Sequence, residues 1–438
     1  MITVKTIIES GIEPFTYICN LSISTGKFPD AMEAAKAIPL YKSGNKHSFN
    51  NDRPVSLLPQ FSKILEKGFE SRLDKLIEKN YILNNEQYGF RTKHSTAMTI
   101  MELTDKISTA IDNKNDFVSV FIDLKKPFDV IDHSRLLQKL SQYGIRGVAH
   151  QWVKTDLEQR KQFVQIKDHK SKLCEINCGV PQGSVLGPKL FILFINDLVN
   201  VSKTLCTILF ADDTTLFYSG SNIEEVAKVI NDELIQIKSW FDINRLTLNL
   251  NKTHFILFND KKNSDVSLEI DGIEIQRVKE TKFLGVLIDE DLSWKSHISY
   301  IKGKIAKSLG VLHRLKFLLT NSGLLALYNS LLVPHLTYCV EIWGATYKNY
   351  TQPVFILQKR ALRIINYSGC RDPSNPLFIK YKLLKFHDLK DRKIIQTMYE
   401  VNLSTLPTNI QGIFEKRTSN YMLKETGVFT KPRFRTKN

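Results

Sequence analysis

Cysteine is scarce in this chain: six among 438 residues, at Cys19, Cys174, Cys178, Cys206, Cys339 and Cys370. That number and scatter exclude a disulfide framework and suit a reducing compartment. Cys174 and Cys178 are the only close pair, and no second Cys/His pair stands at zinc-site spacing, so both read as buried thiols. The N-terminus lacks a charged segment followed by a long apolar core, so no signal peptide is read there. Long apolar runs are also missing. The most apolar one, LLALYNSLLVPHLTYCVEIWG (324–344), is interrupted by Asn329, Pro334, His335 and Glu341 and predicts a buried helix, with no membrane partner. There is no internal repeat, no Walker-type phosphate loop, no Gly-x-Ser-x-Gly elbow and no zinc-ligand cluster. His94, His133 and His297 have no spaced metal partner and read as structural.

What is present is globular. Hydrophobic residues make up 42% and charged residues 24%, which excludes a mostly disordered chain. The length predicts two or three structural units. The net charge of +16 is unevenly spread. Residues 1–290 carry 37 basic and 37 acidic side chains, whereas 291–438 carry 24 basic and 8 acidic. A basic block beside a neutral one suggests a polyanion partner, with a solvated basic surface as the alternative.

Periodicity changes along the chain. FSKILEKGFESRLDKLIEKN (61–80) and TAMTIMELTDKISTAIDNK (96–114) carry helical stripes. DFVSVFIDL (116–124) is a buried strand, and HSRLLQKLSQYG (133–144) an amphipathic helix capped by Gly144. GPKLFILFINDLVNVS (187–202) reads as buried helix. LCTILFADDTTLFYS (205–219) is a hairpin with Asp212 and Asp213 at its bend. IEEVAKVINDELIQIKSWFDIN (223–244) is helix, and THFILF (253–258), SLEIDGIEI (267–275) and KFLGVLID (282–289) are strands. This is an α/β layer with antiparallel pairing. Beyond Trp294 the pattern is helical and basic.

Two features carry chemistry. Asp is a poor strand former, yet Asp123 is embedded in VFIDL and Asp212 and Asp213 in LFADD. A carboxylate in an apolar strand has to be paired, hydrogen-bonded or metal-bound. Two such strands side by side would gather three carboxylates, whose repulsion calls for cations; Asp oxygens suit Mg²⁺. Such sites hold two ions for phosphoryl transfer to a 3′-hydroxyl. The plain alternative is an Asp-Asp pair that merely caps a hairpin.

The chain resembles the reverse transcriptase domain of non-LTR (LINE-type, jockey/CR1-like) retrotransposons. Seven segments carry the resemblance in order: PLYKSGNKHSFNNDRPVSLLPQFSKILEK (39–67), EQYGFRTKHST (86–96), FIDLKKPFDVIDH (121–133), GVPQGSVLGPKLFILFINDL (179–198), FADD (210–213), LTLNLNKTHFILF (246–258) and KFLGVLIDEDLSWKSHI (282–298). It implies a right-hand polymerase with fingers at 1–115, a ferredoxin-like palm at 116–290 and a basic helical thumb with C-terminal extension at 291–438. It implies Asp123, Asp212 and Asp213 as catalytic metal ligands, joined by the Leu124 carbonyl, and two Mg²⁺ ions with Mn²⁺ as a substitute. Phe128 matches the residue that screens the sugar 2′ position. Gln182 and Gly183 match the loop beside nucleotide and template. Arg53 matches the triphosphate grip, with Lys42 assisting, and Lys252 matches a lysine near the pyrophosphate. FLGVLID would form the hairpin supporting the primer. The implied partners are an RNA template, a DNA primer and deoxynucleoside triphosphates, with the template–primer duplex held at the thumb's basic block, including HRLKFLL (313–319), LQKRALRII (357–365) and KPRFRTK (431–437). The implied location is nuclear and cytoplasmic, although no targeting signal is seen.

Three positions depart from the family pattern. Pro127 stands where a small residue, usually Ala, is expected, and proline removes an N–H that would face the triphosphate. Asp52 stands where Tyr is usual, and Asp156 where an aromatic is usual. These changes look like drift in a decaying copy and suggest impaired activity, leaving a nucleic-acid-binding protein as the alternative. A metal-dependent nuclease is a second rival. No endonuclease pattern is seen in this chain, which reads as a polymerase fragment.

Overall fold

The structure, a computed structural model, describes residues 2–414 except 43, 44, 46, 49, 50, 159 and 260–263; for residues 2–10 only the helical backbone is described. KPRFRTK (431–437) lies outside the described residues.

The chain opens with α1 (Ile2–Thr25), then β1 (Ala34–Tyr41), β2 (Asp52–Leu57), α2 (Gln60–Lys79) and α3 (Thr96–Asp112). Ser95 caps α3 by accepting from the Met98 N–H. Next come β3 (Asp116–Ile122), α4 (His133–Gln142), α5 (Gly147–Glu158), β4 (Lys161–Ile166), β5 (His169–Lys170), β6 (Cys174–Glu175) and α6 (Gly187–Phe194). Asp132 caps α4 by accepting from Arg135, and Gly144 follows it at φ +85°. The hairpin β7 (Cys206–Phe210) and β8 (Asp213–Gly220) leads into α7 (Ile223–Ile243), whose N-cap is Asn222, with Glu224 and Glu225 in its first turn. Five short strands intersperse the next stretch after β9 (His254–Phe258): β10 (Glu269–Ile270), β11 (Ile273–Glu274), β12 (Gln276–Arg277), β13 (Glu280–Phe283) and β14 (Val286–Asp289).

The rest of the described chain is helical: α8 (Lys295–Leu315), α9 (Asn321–Leu331), α10 (Val333–Thr337), α11 (Val340–Trp343), α12 (Lys348–Ile365), α13 (Asn375–Lys380), α14 (Phe386–Asn402) and α15 (Thr408–Ile413).

The central sheet has the order β12-β9-β3-β8-β7, and β3 runs antiparallel to both β8 and β9. Both its faces are buried. Alternate residues of a strand point to opposite sides. Val118, Val120 and Ile122 join a core with α4, α6 and α7; Phe117 and Phe121 join a second core with α3 and α8. Burial on both sides explains why these strands read as continuous apolar runs. The second sheet has the order β2-β1-β4-β5, with β6 on β4.

Several expectations are corrected. Residues 324–344 form three short helices, not one: Pro334 cannot continue a helix, and Cys339 sits at φ +51°. KFLGVLID is a hairpin, as the resemblance implies, rather than the one strand that its apolar pattern suggests, because Leu284 and Gly285 turn at positive φ. Cys174 and Cys178 are exposed, since the two-residue strand β6 is a sheet margin, and Cys339 is the buried cysteine. Strands β2, β4, β5, β6 and β12 have no counterpart in the sequence reading. Strand β4, which begins inside WVKTDLEQRKQFV (152–164), pairs in parallel with β1.

Asp156 has a structural role. It is 3% exposed and pairs with Arg160 at 2.5 Å; Arg160 also pairs with Glu66 at 2.7 Å. Glu66 Oε2 accepts from the Val185 and Leu186 N–H groups at 2.7 and 3.3 Å. This buried ion cluster ties α2 and α5 to the loop that precedes α6.

Candidate active site

Asp123 follows the last residue of β3, and Asp213 opens β8. The register pairs Ile122 with Thr214, so the two carboxylates stand next to each other across neighbouring strands. Asp212 precedes Asp213 in the β7–β8 turn, where Ala211 takes φ +56°. That turn is clasped from outside. The Gln87 side-chain oxygen accepts from the Ala211 N–H at 3.2 Å and from Gly89 N–H at 2.8 Å, while Tyr88 N–H donates to the Leu209 carbonyl. Gly89 is required there, because a Cβ would lie 2.3 Å from the Ala211 nitrogen.

Asp123 is fixed by the segment before β9. Asn249 Nδ2 donates to Asp123 Oδ2 at 2.7 Å, the Asn249 N–H donates to the Asp123 carbonyl, and the Asp123 N–H donates to Thr253 Oγ1 at 3.3 Å. Leu124 bridges to Leu248 in antiparallel fashion.

A cavity of about 940 Å³ is lined by all ten residues singled out from the sequence: Lys42, Arg53, Asp123, Leu124, Phe128, Gln182, Gly183, Asp212, Asp213 and Lys252. Its lining also includes Asp52, Lys125, Lys126, Pro127, Asp129 and Asn249. The charged lining residues balance, five acidic (Asp52, Asp123, Asp129, Asp212, Asp213) against five basic (Lys42, Arg53, Lys125, Lys126, Lys252). Enclosure by the protein and the charges of Asp212 and Asp123 push the Asp213 pKa up to about 6. Asp212 is raised too, mainly by desolvation, with Asp123 adding to it and Arg53 opposing. Lys42 is lowered by desolvation and by its neighbours Arg53 and Lys252.

The carboxylates share a cavity without sharing a point. Among the described residues, no three His, Cys, Asp or Glu side chains stand close enough to hold one metal ion. The donor set is nevertheless all hard oxygen, and burial together with mutual repulsion disfavours the charged form of Asp212 and Asp213. In chemistry the residues therefore fit a divalent ion.

The remaining wall is preorganised. The Phe128 ring stacks on Phe191 with centroids 4.6 Å apart. Gln182 Nε2 donates to Asp129 Oδ1 at 2.9 Å, and its carbonyl accepts from Ser56 N–H at 2.7 Å. Gly183, at φ +127°, lies so close to β2 that a Cβ would sit 2.5 Å from the Ser56 oxygen. Pro127 is buried and opens a 3-10 turn, Pro127–Asp129; Lys126 before it adopts φ +49°, a strained conformation for a residue preceding proline. Arg53 is exposed and makes no ion pair among the described residues.

Sequence reasoning passed over Gln87, Asn249, Lys125 and Lys126. Each lies inside a segment already marked by the resemblance. The period-2 and helix patterns carry no sign of a carboxamide hydrogen bond.

Carboxylates at the ends of β3 and β8 thus face a cavity that also presents five basic side chains. The family described as reverse transcriptase (RNA-dependent DNA polymerase) matches residues 44–288, and the chain belongs to it. Its mixed α/β fold is that of the right-hand polymerases, and the family uses divalent metal ions. The chain is similar to a probable RNA-directed DNA polymerase from transposon BS of Drosophila melanogaster, 29% identical over 386 residues, covering 83% of this chain and 41% of that protein. It is also similar to the RNA-directed DNA polymerase from mobile element jockey of the same organism, 27% identical over 378 residues, with 83% and 41% coverage. The chain thus spans about two fifths of the length of these curated relatives. A solved telomerase from Candida albicans, in complex with a TWJ fragment of telomeric RNA, aligns at TM-score 0.45 and 13% identity, covering 88% of this chain and 65% of that one.

Proposed function

We propose that this chain is the RNA-directed DNA polymerase segment of a jockey-type non-LTR retrotransposon. It adds deoxynucleotides to the 3′-hydroxyl of a DNA primer along an RNA template, with residues 1–115 as fingers, 116–290 as palm and 291–438 as thumb and extension. The observation that carries this reading is the meeting of Asp123, Asp212 and Asp213 in the cavity that also presents Arg53, Lys42, Lys252 and Phe128.

Asp123, Asp212, Asp213 and the Leu124 carbonyl would hold two Mg²⁺ ions. When bound, these ions lower the pKa of the attacking hydroxyl and neutralise the leaving pyrophosphate. Arg53, free of a carboxylate partner, offers a planar fork to the triphosphate, and Lys42 stands beside it. Lys252 neutralises charge near the pyrophosphate. Phe128, backed by Phe191, excludes a ribose 2′-hydroxyl by occupying its place. The Gln182–Gly183 loop, pinned to Ser56 and Asp129, borders the templating base.

A second reading, a nucleic-acid-binding protein with impaired chemistry, is favoured by Pro127 and Asp52. Proline leaves the turn before Phe128 without one N–H, and Asp52 sets a negative charge beside Arg53. The test is extension of a DNA primer on an RNA template with Mg²⁺ or Mn²⁺. Extension by the native chain that is lost in Asp212→Asn supports polymerisation. RNA binding with no extension under either ion overturns it in favour of the second reading.

A further inference from the structure

Strand β7 ends the central sheet, and its free edge is covered by residues 86–88. The Leu209 N–H donates to the Glu86 carbonyl and the Tyr88 N–H to the Leu209 carbonyl, each at 2.8 Å. This short parallel bridge sets the Gln87 side chain against the turn that carries Asp212. The clasping segment is braced from behind: Arg91 Nη1 donates to the Gln87 carbonyl at 3.1 Å, and Lys189 Nζ to the Phe90 carbonyl at 2.8 Å. Gln87 Oε1 serves the Ala211 and Gly89 N–H groups, yet Gln87 Nε2 is buried without a hydrogen-bond partner among the described residues. A buried donor left unpaired is costly. An apolar side chain of similar size would fill the space without that cost. What glutamine supplies here is the acceptor for the turn.

Tyr88 carries the contact outward. It is buried, and its hydroxyl donates to Oε2 of Glu102 on α3. Glu102 is 7% exposed and has no ion pair among the described residues; its Oε1 accepts from Asn409 Nδ2 at 3.3 Å. Burial pushes the Glu102 carboxyl up, and the Tyr88 hydrogen bond opposes it. Asn409 lies on α15, which is seated by buried Ile410. A buried carboxylate between two neutral donors is an expensive way to join α3 to α15. Hydrogen bonds nevertheless fix direction, which apolar contact does not.

We infer that Gln87, Tyr88, Glu102 and Asn409 form a positioning relay that holds the Asp212–Asp213 turn in its metal-binding shape and makes that shape depend on the docking of α15. None of the four lines the cavity, so each acts through the turn. The turn needs holding for two reasons. Ala211 sits at φ +56°, which costs a residue with a Cβ. The neighbouring carboxylates repel one another, and an unpinned turn relaxes by moving them apart. The inference rests on the reading of Asp212 and Asp213 as metal ligands and extends their support to the last helix of the described chain.

The experiment is Mn²⁺ binding to the full chain, read from the electron paramagnetic resonance signal of free Mn²⁺ without nucleotide or nucleic acid. Urea unfolding is measured on the same preparations, and Asp212→Asn defines the binding that belongs to the site. Gln87→Met keeps the volume and removes the acceptor; Mn²⁺ affinity should fall about 10-fold. Asn409→Leu, at the half-buried outer end of the relay, should lower it about threefold. The double variant should lose no more than Gln87→Met alone, because both act on one turn. Primer extension should need correspondingly more Mg²⁺ for its half-maximal rate, at unchanged affinity for an RNA–DNA duplex. Should Gln87→Met fail to fold, Tyr88→Phe, which removes one hydroxyl, carries the expectation given for Asn409→Leu. Unchanged Mn²⁺ affinity in Asn409→Leu, additive losses in the double variant, or losses that only follow a lowered urea midpoint overturn the inference. The expected Mn²⁺ series in a chain that extends no primer supports the relay and overturns polymerisation alone.

Discussion

The sheet-bearing region and the helical region handle charge in opposite ways. In the first, net neutrality hides close opposition, with five acidic and five basic side chains lining one cavity. In the second, α8 and α12 carry nine Lys and Arg residues and no acid. A balanced site holds charge that is matched during a reaction, when ions and a triphosphate arrive together. An unbalanced surface holds a polyanion and lets its counterions go. A whole-chain charge of +16 conceals both designs.

The comparison breaks most severely at the carboxylates. Asp123→Asn should reduce primer extension by roughly 10³-fold or more, because it removes a ligand of the ions that stabilise the transferred phosphoryl group. Affinity for RNA should stay unchanged, measured by anisotropy on the same preparation; a parallel loss would mean that the two regions are not separable. Next in size is the buried ion cluster. Asp156→Ala leaves Arg160, 1% exposed, with Glu66 alone, and should destabilise the chain by about 3 kcal/mol in urea unfolding.

The seam between the regions supplies a pH test. His297 on α8 is 2% exposed and accepts the Leu287 N–H of β14 at 3.2 Å. Burial, aided by Lys282, pushes its pKa down to about 4. The folded chain therefore binds this proton less readily than the unfolded one, whose histidine titrates near about 6.5. The stability is fully present above pH ~6.5 and is lost as pH falls toward ~4, by about 3 kcal/mol at most. His297→Gln, which can still accept from Leu287, should flatten that fall in a urea series. The smallest effect is expected at Pro127. Restoring an N–H with Pro127→Ala should raise primer-extension efficiency about 10-fold, the worth of one charge-assisted hydrogen bond. Activity of the native chain equal to that of the variant would remove Pro127 as a defect.

Much of the site was legible because it breaks local rules. Aspartates inside apolar strands stand out against their surroundings, whereas Phe128, Arg53, Lys42, Gln182, Gly183 and Lys252 were named only through the family resemblance. Secondary structure with strong local period, such as α2, α3 and α7, was legible for the same reason. Long-range pairing was not. Nothing in KQFV announces that β4 joins β1 across more than a hundred residues. Asp156 looked like drift because the cluster that holds it, centred on Arg160, is completed by Glu66, which is distant in sequence. The break at Pro334 was visible as a residue, yet the apolar run around it masked its effect. The hydrogen bonds of Gln87 and Asn249 depend on where loops land, which local pattern does not encode.

The parallel pairing of β1 with β4 also sets an order of events during synthesis. Strand β2, which carries Arg53, belongs to a sheet that is incomplete until residues 161–166 have left the ribosome. Strand β3 likewise waits for β8 and β9, the last of which ends at Phe258. A chain interrupted before that point owns every early motif and no cavity. Arg53 and the carboxylates thus reach their places one after the other, both late, and at the expense of slow folding through distant contacts.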